Sequence, residues 1–255
     1  MKGVGTGLFA NEMRRARENA GLTQEQLAES VAFSISTVTK VEAGHMQPSQ
    51  QFAEAVDRAL QTDGLLSRIR KGLLEQNAVP PWFQPWSEIE EQATELRLFE
   101  PLVVPGLLQT ERYASAILEG DETRLAARLG RQKILDGPSA VSLVAIVAEQ
   151  VLRRRVGDNA TMVEQLHALA ESPARVQVLP VDADTHHGID GSFALAEVAG
   201  RVIAYAETPI CGFVMEDDEA VFKLNRHWDV IRGEALPQRQ SKQLILEVAD
   251  EWQSS

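Results

Sequence analysis

Cysteine is nearly absent: the chain of 255 residues has one, Cys211. A single thiol excludes an internal disulfide framework and suits a reducing cytoplasm. Long apolar runs are missing too. The longest, around residues 141–148, is far too short to span a bilayer. The opening "MKGVGTGLFANEM" lacks the apolar core of a signal peptide. The expectation is a cytoplasmic, nucleoid-associated protein with no membrane partner. Positive charge is also short. Lys and Arg number 25 against 37 Asp and Glu, a formal net charge of -12 and a pI near 4.9. Nucleic acid repels a molecule of that balance. Internal repeats and low-complexity tracts are lacking as well.

What is present suits a folded protein. Hydrophobic residues make up 44% and charged residues 24% of the chain, close to globular averages. The charge is unevenly placed. Residues 1–75 hold 9 Lys/Arg and 9 Asp/Glu, while residues 76–255 hold 16 and 28. A neutral front and an acidic back point to two domains, 1–75 and 76–255, with different partners. The expected fold is α+β: an all-α helix-turn-helix bundle, then an α+β domain with a small mixed or antiparallel sheet.

In the front, residues 9–20 are helix-like and Gly21 stands where a glycine cap stops a helix. Thr23 and Gln26 form the spacing of a capping box. A tight turn at Ala32 and Phe33 leads to a helix over 34–43, ended by Gly44. Ser49 can cap a further helix, and residues 61–78 continue as helix. Three prolines in "VPPWFQPW" forbid regular structure, yet its aromatics are too apolar for a solvated linker. Residues 76–90 are therefore an ordered joint. "SEIEEQATELRLFE" reads as helix, and another helix begins near Thr110. Residues 122–135 are helical. Buried strands are expected at "VSLVAIVAE", "RVQVLP", "SFALAEV" and "RVIAYAET", with a helix near 159–171 and two closing helices at 217–233 and 237–252.

Residues 23–44 meet the needs of a DNA-reading helix-turn-helix. The second helix must present its first residues to base edges, and the first must offer its N-terminus to a phosphate. Thr23 and Gln24 open the first helix; Ser34 opens the second. Val38 and Val41 face inward, leaving Ile35, Ser36, Thr37, Thr39 and Lys40 for the DNA. "GLTQEQLAESVAFSISTVTKVEAGHMQPS" resembles the Xre/phage-repressor helix-turn-helix family over about residues 9–63. The resemblance implies that the second helix reads bases, that Gln24 helps fix the phosphate backbone, and that Arg17 pairs with Glu42. Two positions depart from the pattern. Ala32 stands where the turn residue is usually Gly. Ile35 stands where Gln is common, so it can only touch a thymine methyl or exclude bases. Arg14 and Arg15 are left for solvent or phosphate. With no basic excess, binding by a single domain is weak, and two copies on a two-fold operator would help.

The back offers no catalytic constellation, so no enzyme is expected and no cofactor or metal. His186 and His187 sit in a loop with Gly188 and Gly191, without the spacing of a helix metal site. Cys211 has no fixed His or Asp partner. The acids of "MEDDEAV" suit a helix N-terminus, and "RRR" at 153–155 suits a solvated turn. "VPPWF", "LRLFEPLVVPGLLQTERYASAIL", "ARLGRQKIL" and "GIDGSFALAEV" resemble the antitoxin-like C-terminal domain of actinobacterial Xre regulators, a group related to regulators of Streptomyces development and antibiotic production. The resemblance implies a small protein partner encoded nearby. From the residues alone, Trp82, Phe83, Trp86 and Tyr113 are candidate anchors for it, against the plainer reading that these rings weld the joint to the core. The expected function is a sequence-specific regulator on a double-stranded DNA operator, acting as a homodimer. An antitoxin that neutralises a small toxin and a small-molecule receptor are the rival readings.

Overall fold

The computed structural model describes residues 4–254, with side chains throughout that span except at 4–6 and 73–78. The first residues of the signal-peptide reading, and the first side chains of the expected 76–90 joint, lie outside the described residues. The chain divides into two compact units, Met1–Asn77 and Ala78–Ser255.

Unit 1 is helical: α1 Val4–Asn19, α2 Gln24–Ser30, α3 Ile35–Glu42, α4 Gln50–Leu60 and α5 Leu65–Ala78. Its turns follow local chemistry. Gly21 ends α1 at φ 68°, a value that costs glycine nothing. Thr23, Ser34 and Ser49 each accept a backbone N–H of the turn they open, so α2, α3 and α4 start where those side chains stand. Helix α1 begins earlier than the apolar pattern suggests. The expected continuous helix over 61–78 is broken: Gln61, Asp63 and Gly64 all have positive φ, and α5 starts only at Leu65. Phe9, Met13, Leu27, Val38, Phe52 and Leu66 fill the core, all about fully buried.

Unit 2 opens with α6 Gln84–Gln92 and β1 Glu95–Glu100, followed by a short 3-10 turn and α7 Glu111–Ile117. Next come α8 Glu122–Arg131, β2 Ser142–Ala148, α9 Glu149–Arg153, α10 Asn159–Glu171 and β3 Arg175–Leu179. Strands β4 Phe193–Val198, β5 Arg201–Glu207 and β6 Gly212–Met215 lead to α11 Asp218–Glu234 and α12 Gln238–Ser254. The strands form one six-stranded mixed sheet in the order β3-β2-β1-β4-β5-β6. β1, β2 and β3 run parallel; β4, β5 and β6 add antiparallel. The unit is α+β, as the sequence suggests. Ala199 and Gly200, both at positive φ, make the two-residue turn between β4 and β5.

Three expectations change here. "ELRLFE" is the central strand rather than a helix, with parallel and antiparallel neighbours on its two edges. The prolines do not forbid structure either. Pro85 lies in the first turn of α6, where its missing N–H would have no helical partner anyway. The strand β6 was not expected at all. Both sheet faces are covered. Leu96 and Leu98 face a core that includes Trp86, Tyr113, Leu166 and Ile245. Phe99, Ile146 and Phe193 face Trp228 and Ile231 of α11.

Candidate functional site

The turn between α2 and α3 sets the front site. Ala32 takes φ 57°, the left-handed conformation usual for glycine, at a cost of roughly 1–2 kcal/mol. Leu27, Ala28, Val38 and Val41 bury the inner faces of the two helices. Behind them lies Glu42, 2% exposed. Arg17 donates to it from Nε at 2.6 Å and Nη2 at 3.1 Å, and Arg17 Nη1 donates to the Leu22 carbonyl at 2.8 Å. The bonds to Glu42 raise the Arg17 pKa, against the effect of burial. The Arg17–Glu42 pair is thus present as the resemblance implied.

Gln24 behaves otherwise. Its Nε2 donates to Glu42 Oε2 at 2.8 Å and its Oε1 accepts from Thr39 Oγ1 at 3.0 Å. Both ends of the amide are engaged inside the domain, tying α2 to α3, with one of the two Nε2 N–H groups given to Glu42. Thr23 is likewise occupied in its capping box with Gln26, and the Ser34 and Thr37 hydroxyls lie 2.9 Å apart. Arg14 donates to the Glu42 carbonyl at 2.9 Å. Three residues of the expected reading set remain open. Ile35 is 44% exposed, and Ser36 and Lys40 are exposed with no partner among the described residues. The spacing 35, 36, 40 places them on one side of α3, opposite Val38 and Val41.

Unit 2 has its own concavity, a cavity of about 320 Å³. It opens at the carboxyl end of β1, next to the point where the sheet order reverses between β1 and β4. Trp82 and Phe83 are half-buried on its wall. Phe83 meets Tyr205 edge-on at 5.6 Å, and Trp86 stacks on Tyr205 at 5.0 Å. Trp86 is 1% exposed and Tyr113 fully buried, with its hydroxyl accepting the Val104 N–H. Both rings are packed in the core of the unit rather than presented at its surface. The segment "FEPLVVPGLLQTERY" is largely built into the unit: Phe99 lies in the central strand, and Val104 and Leu107 are buried.

Residues 8–68 match a helix-turn-helix domain family. This supports a DNA-binding regulator. Residues 83–247 match the family described as domain of unknown function (DUF5753). The chain belongs to the DUF5753 family. No curated protein and no solved structure matches it.

The polar lining of the DUF5753 cavity was not anticipated. Arg131 clamps Glu90 through Nε and Nη2, both at 2.9 Å, while its guanidinium lies 4.3 Å over the Phe83 ring. Trp86 Nε1 donates to the same carboxylate at 2.9 Å. Burial raises the Glu90 pKa even so, with Arg131 opposing. Arg128 donates to Gln109 Oε1 at 2.8 Å; burial, then Arg131 and Arg124, lower its pKa. The Tyr205 hydroxyl donates to Glu207 at 3.0 Å, and burial and Glu207 hold its pKa up. Glu100 ends the row Leu96, Leu98, Glu100 on one face of β1 and meets the cavity. Burial pushes its carboxyl up to about 8, Glu207 adds to this, and Arg128 opposes it. Two sequence signals could have found this set: an alternating apolar row ending in an acid, and Arg124, Arg128 and Arg131 at helical spacing.

The remaining candidates stay apart. The His187 and His227 rings lie 4.5 Å from each other, and among the described residues no group of three metal-ligating side chains converges. Among the described residues, Cys211 hydrogen-bonds with Thr208. Arg153 pairs with Glu149 and Glu251, and Asp217 caps α11. No helix among the described residues is long and apolar enough to cross a membrane.

Proposed function

We propose that this chain is a sequence-specific transcriptional regulator of the Xre type, whose DUF5753 domain binds a small protein partner or effector and tunes binding to an operator. The observation that carries the reading is the open side of α3. Ile35, Ser36 and Lys40 are exposed on a helix that the Arg17, Glu42 and Gln24 network holds rigidly against α1 and α2. Lys40 supplies a cation for phosphate, Ser36 a hydrogen bond to either kind of base pair, and Ile35 an apolar contact for a thymine methyl. So thin a reading set on a charge-neutral unit favours two copies on a two-fold site, hence a homodimer on DNA. The chain carries no motif for catalysis, and the reading assigns it none. The cavity beside β1 favours an effector as the occupant of the DUF5753 domain.

Band shifts on an operator obtained by in vitro selection test the reading. The Ser36→Ala/Lys40→Ala variant should bind at least about tenfold more weakly, since each lost base or phosphate contact is worth roughly 1–3 kcal/mol. A folded variant that binds as tightly as the wild type would remove α3 from the mechanism.

A further inference from the structure

The DUF5753 cavity ends on a carboxyl that no protein group satisfies. Among the described residues nothing hydrogen-bonds Glu100, although it is surrounded by protein and only part of its surface opens to the cavity. Its neighbours are committed elsewhere. Arg131 is spent on Glu90, Arg128 donates to Gln109, and the Tyr205 hydroxyl donates to Glu207. At the inner wall two carboxyls, Glu100 and Glu207, face the guanidinium of Arg128, and the exposed Arg124 lines the same cavity. What Glu100 lacks, among the described residues, is an N–H donor within hydrogen-bond reach. Beside it stand aromatic surfaces, Trp82, Phe83 and Tyr205, and one of these rings already holds a cation over its face.

We infer that this cavity binds a small organic amine, its ammonium group hydrogen-bonded to Glu100 and its apolar body laid against the aromatic wall. An anion fits worse beside Glu100, because it would meet Glu207 there; it would be drawn to Arg124 and Arg128 on α8 instead. An uncharged apolar ligand would seal Glu100 away from water without a partner, which is costly. The cavity of about 320 Å³ lies at the small end of ligand sites, which suits a monoamine. The inference deepens the effector branch of the proposed function and rests on that branch.

Calorimetric titration of the full chain at neutral pH, without DNA, tests it with phenethylamine and two ligands of similar shape, 2-phenylethanol and phenylacetate. The amine should bind at least about tenfold tighter than either, the worth of one charge-assisted hydrogen bond. Binding should also release a proton. The Glu100 carboxyl, at about 8 in the empty cavity, is largely protonated at neutral pH, and an adjacent ammonium favours its ionised form. The other titratable or charged groups on this wall are Glu207 and Tyr205 from β5, Arg124, Arg128 and Arg131 from α8 and Glu90 from α6; the buried Tyr113 of α7 also feels the Glu100 charge. Glu100→Gln should abolish both the amine preference and the proton release, which assigns them to Glu100.

Equal affinities for the three ligands, tighter binding of phenylacetate, or no amine binding up to about 10 mM would each overturn the inference. So would a Glu100→Gln protein that keeps the preference. Should that variant not fold, proton release by the wild type decides alone, measured in buffers of different ionisation enthalpy; none released means Glu100 is not the acceptor. Absent amine binding with operator binding intact sinks only this inference. Absent operator binding with amine binding intact sinks only the regulator reading.

Discussion

Asp57 organises the break that the periodicity of the front helices conceals. It lies in the last turn of α4, 7% exposed, and accepts the N–H groups of Leu66 and Ser67, both at 2.9 Å, and the Thr62 hydroxyl. One carboxylate thus satisfies free amides at the start of α5 and fixes the turn at 61–64. Burial alone would raise its pKa; the hydrogen bonds of Ser67, Thr62 and Leu66 outweigh burial and hold it below the usual value. A carboxyl depressed in the folded state contributes stability that is fully present above its unfolded value, about 3.9. That contribution is lost as pH falls through the folded value. Asp57→Ala should therefore destabilise unit 1 by about 1–2 kcal/mol at neutral pH. In urea titrations the gap from wild type should shrink below about pH 4; a gap constant with pH would show that the charge does not matter. Residues of this kind mark the limit of sequence reading. Caps such as Thr23, Ser34 and Ser49 act on amides two or three positions away, so the sequence displays them. Asp57 acts across ten residues and Gln24 across fifteen, and only the folded chain brings those partners together.

Among elements, those read well bury one face in a regular period. Helices α2, α3 and α10 are of this kind, while β2 and β4 were legible as near-continuous apolar runs buried on both faces. β1 misled because Glu, Leu and Arg favour helix in isolation. Its strand form comes from pairing on both edges, with Leu96 and Leu98 on one face and Phe99 on the other, and pairing overrides propensity. β6 was missed because four residues carry too little pattern. The joint between α6 and α8 shows how packing at the DUF5753 cavity depends on charge. Glu90 is 4% exposed by its side chain and rests wholly on Arg131 and Trp86. Removing one partner of a buried pair leaves an uncompensated charge, so Arg131→Ala should cost about 3–5 kcal/mol. The Glu90→Gln/Arg131→Leu double variant removes both charges and should recover much of that loss in thermal unfolding. A double variant no more stable than Arg131→Ala would mean that the clamp acts by shape rather than by charge.

For the whole molecule the open matter is how a chain of net charge -12 approaches DNA. All of that excess lies beyond residue 75, and the described side chains of the front unit build a core of their own, from Phe9 to Leu66. The front unit should then fold alone, and without its acidic neighbour it should meet duplex DNA with less repulsion. On non-operator duplex, where dimer geometry confers no advantage, residues 1–77 should bind about tenfold tighter than the full chain at low salt. The advantage should fade between about 0.01 M and 0.15 M salt, as the screening length drops from about 30 Å to about 8 Å. On a two-fold operator the order should reverse if the DUF5753 domain joins the two copies, because the full chain then gains from the second reading helix what it loses to repulsion. Fluorescence anisotropy on both duplexes across that salt range separates the two effects. Equal low-salt affinities on non-operator DNA would mean that the acidic domain is electrostatically silent, and its influence on the operator would then have to come from assembly or from the occupant of its cavity.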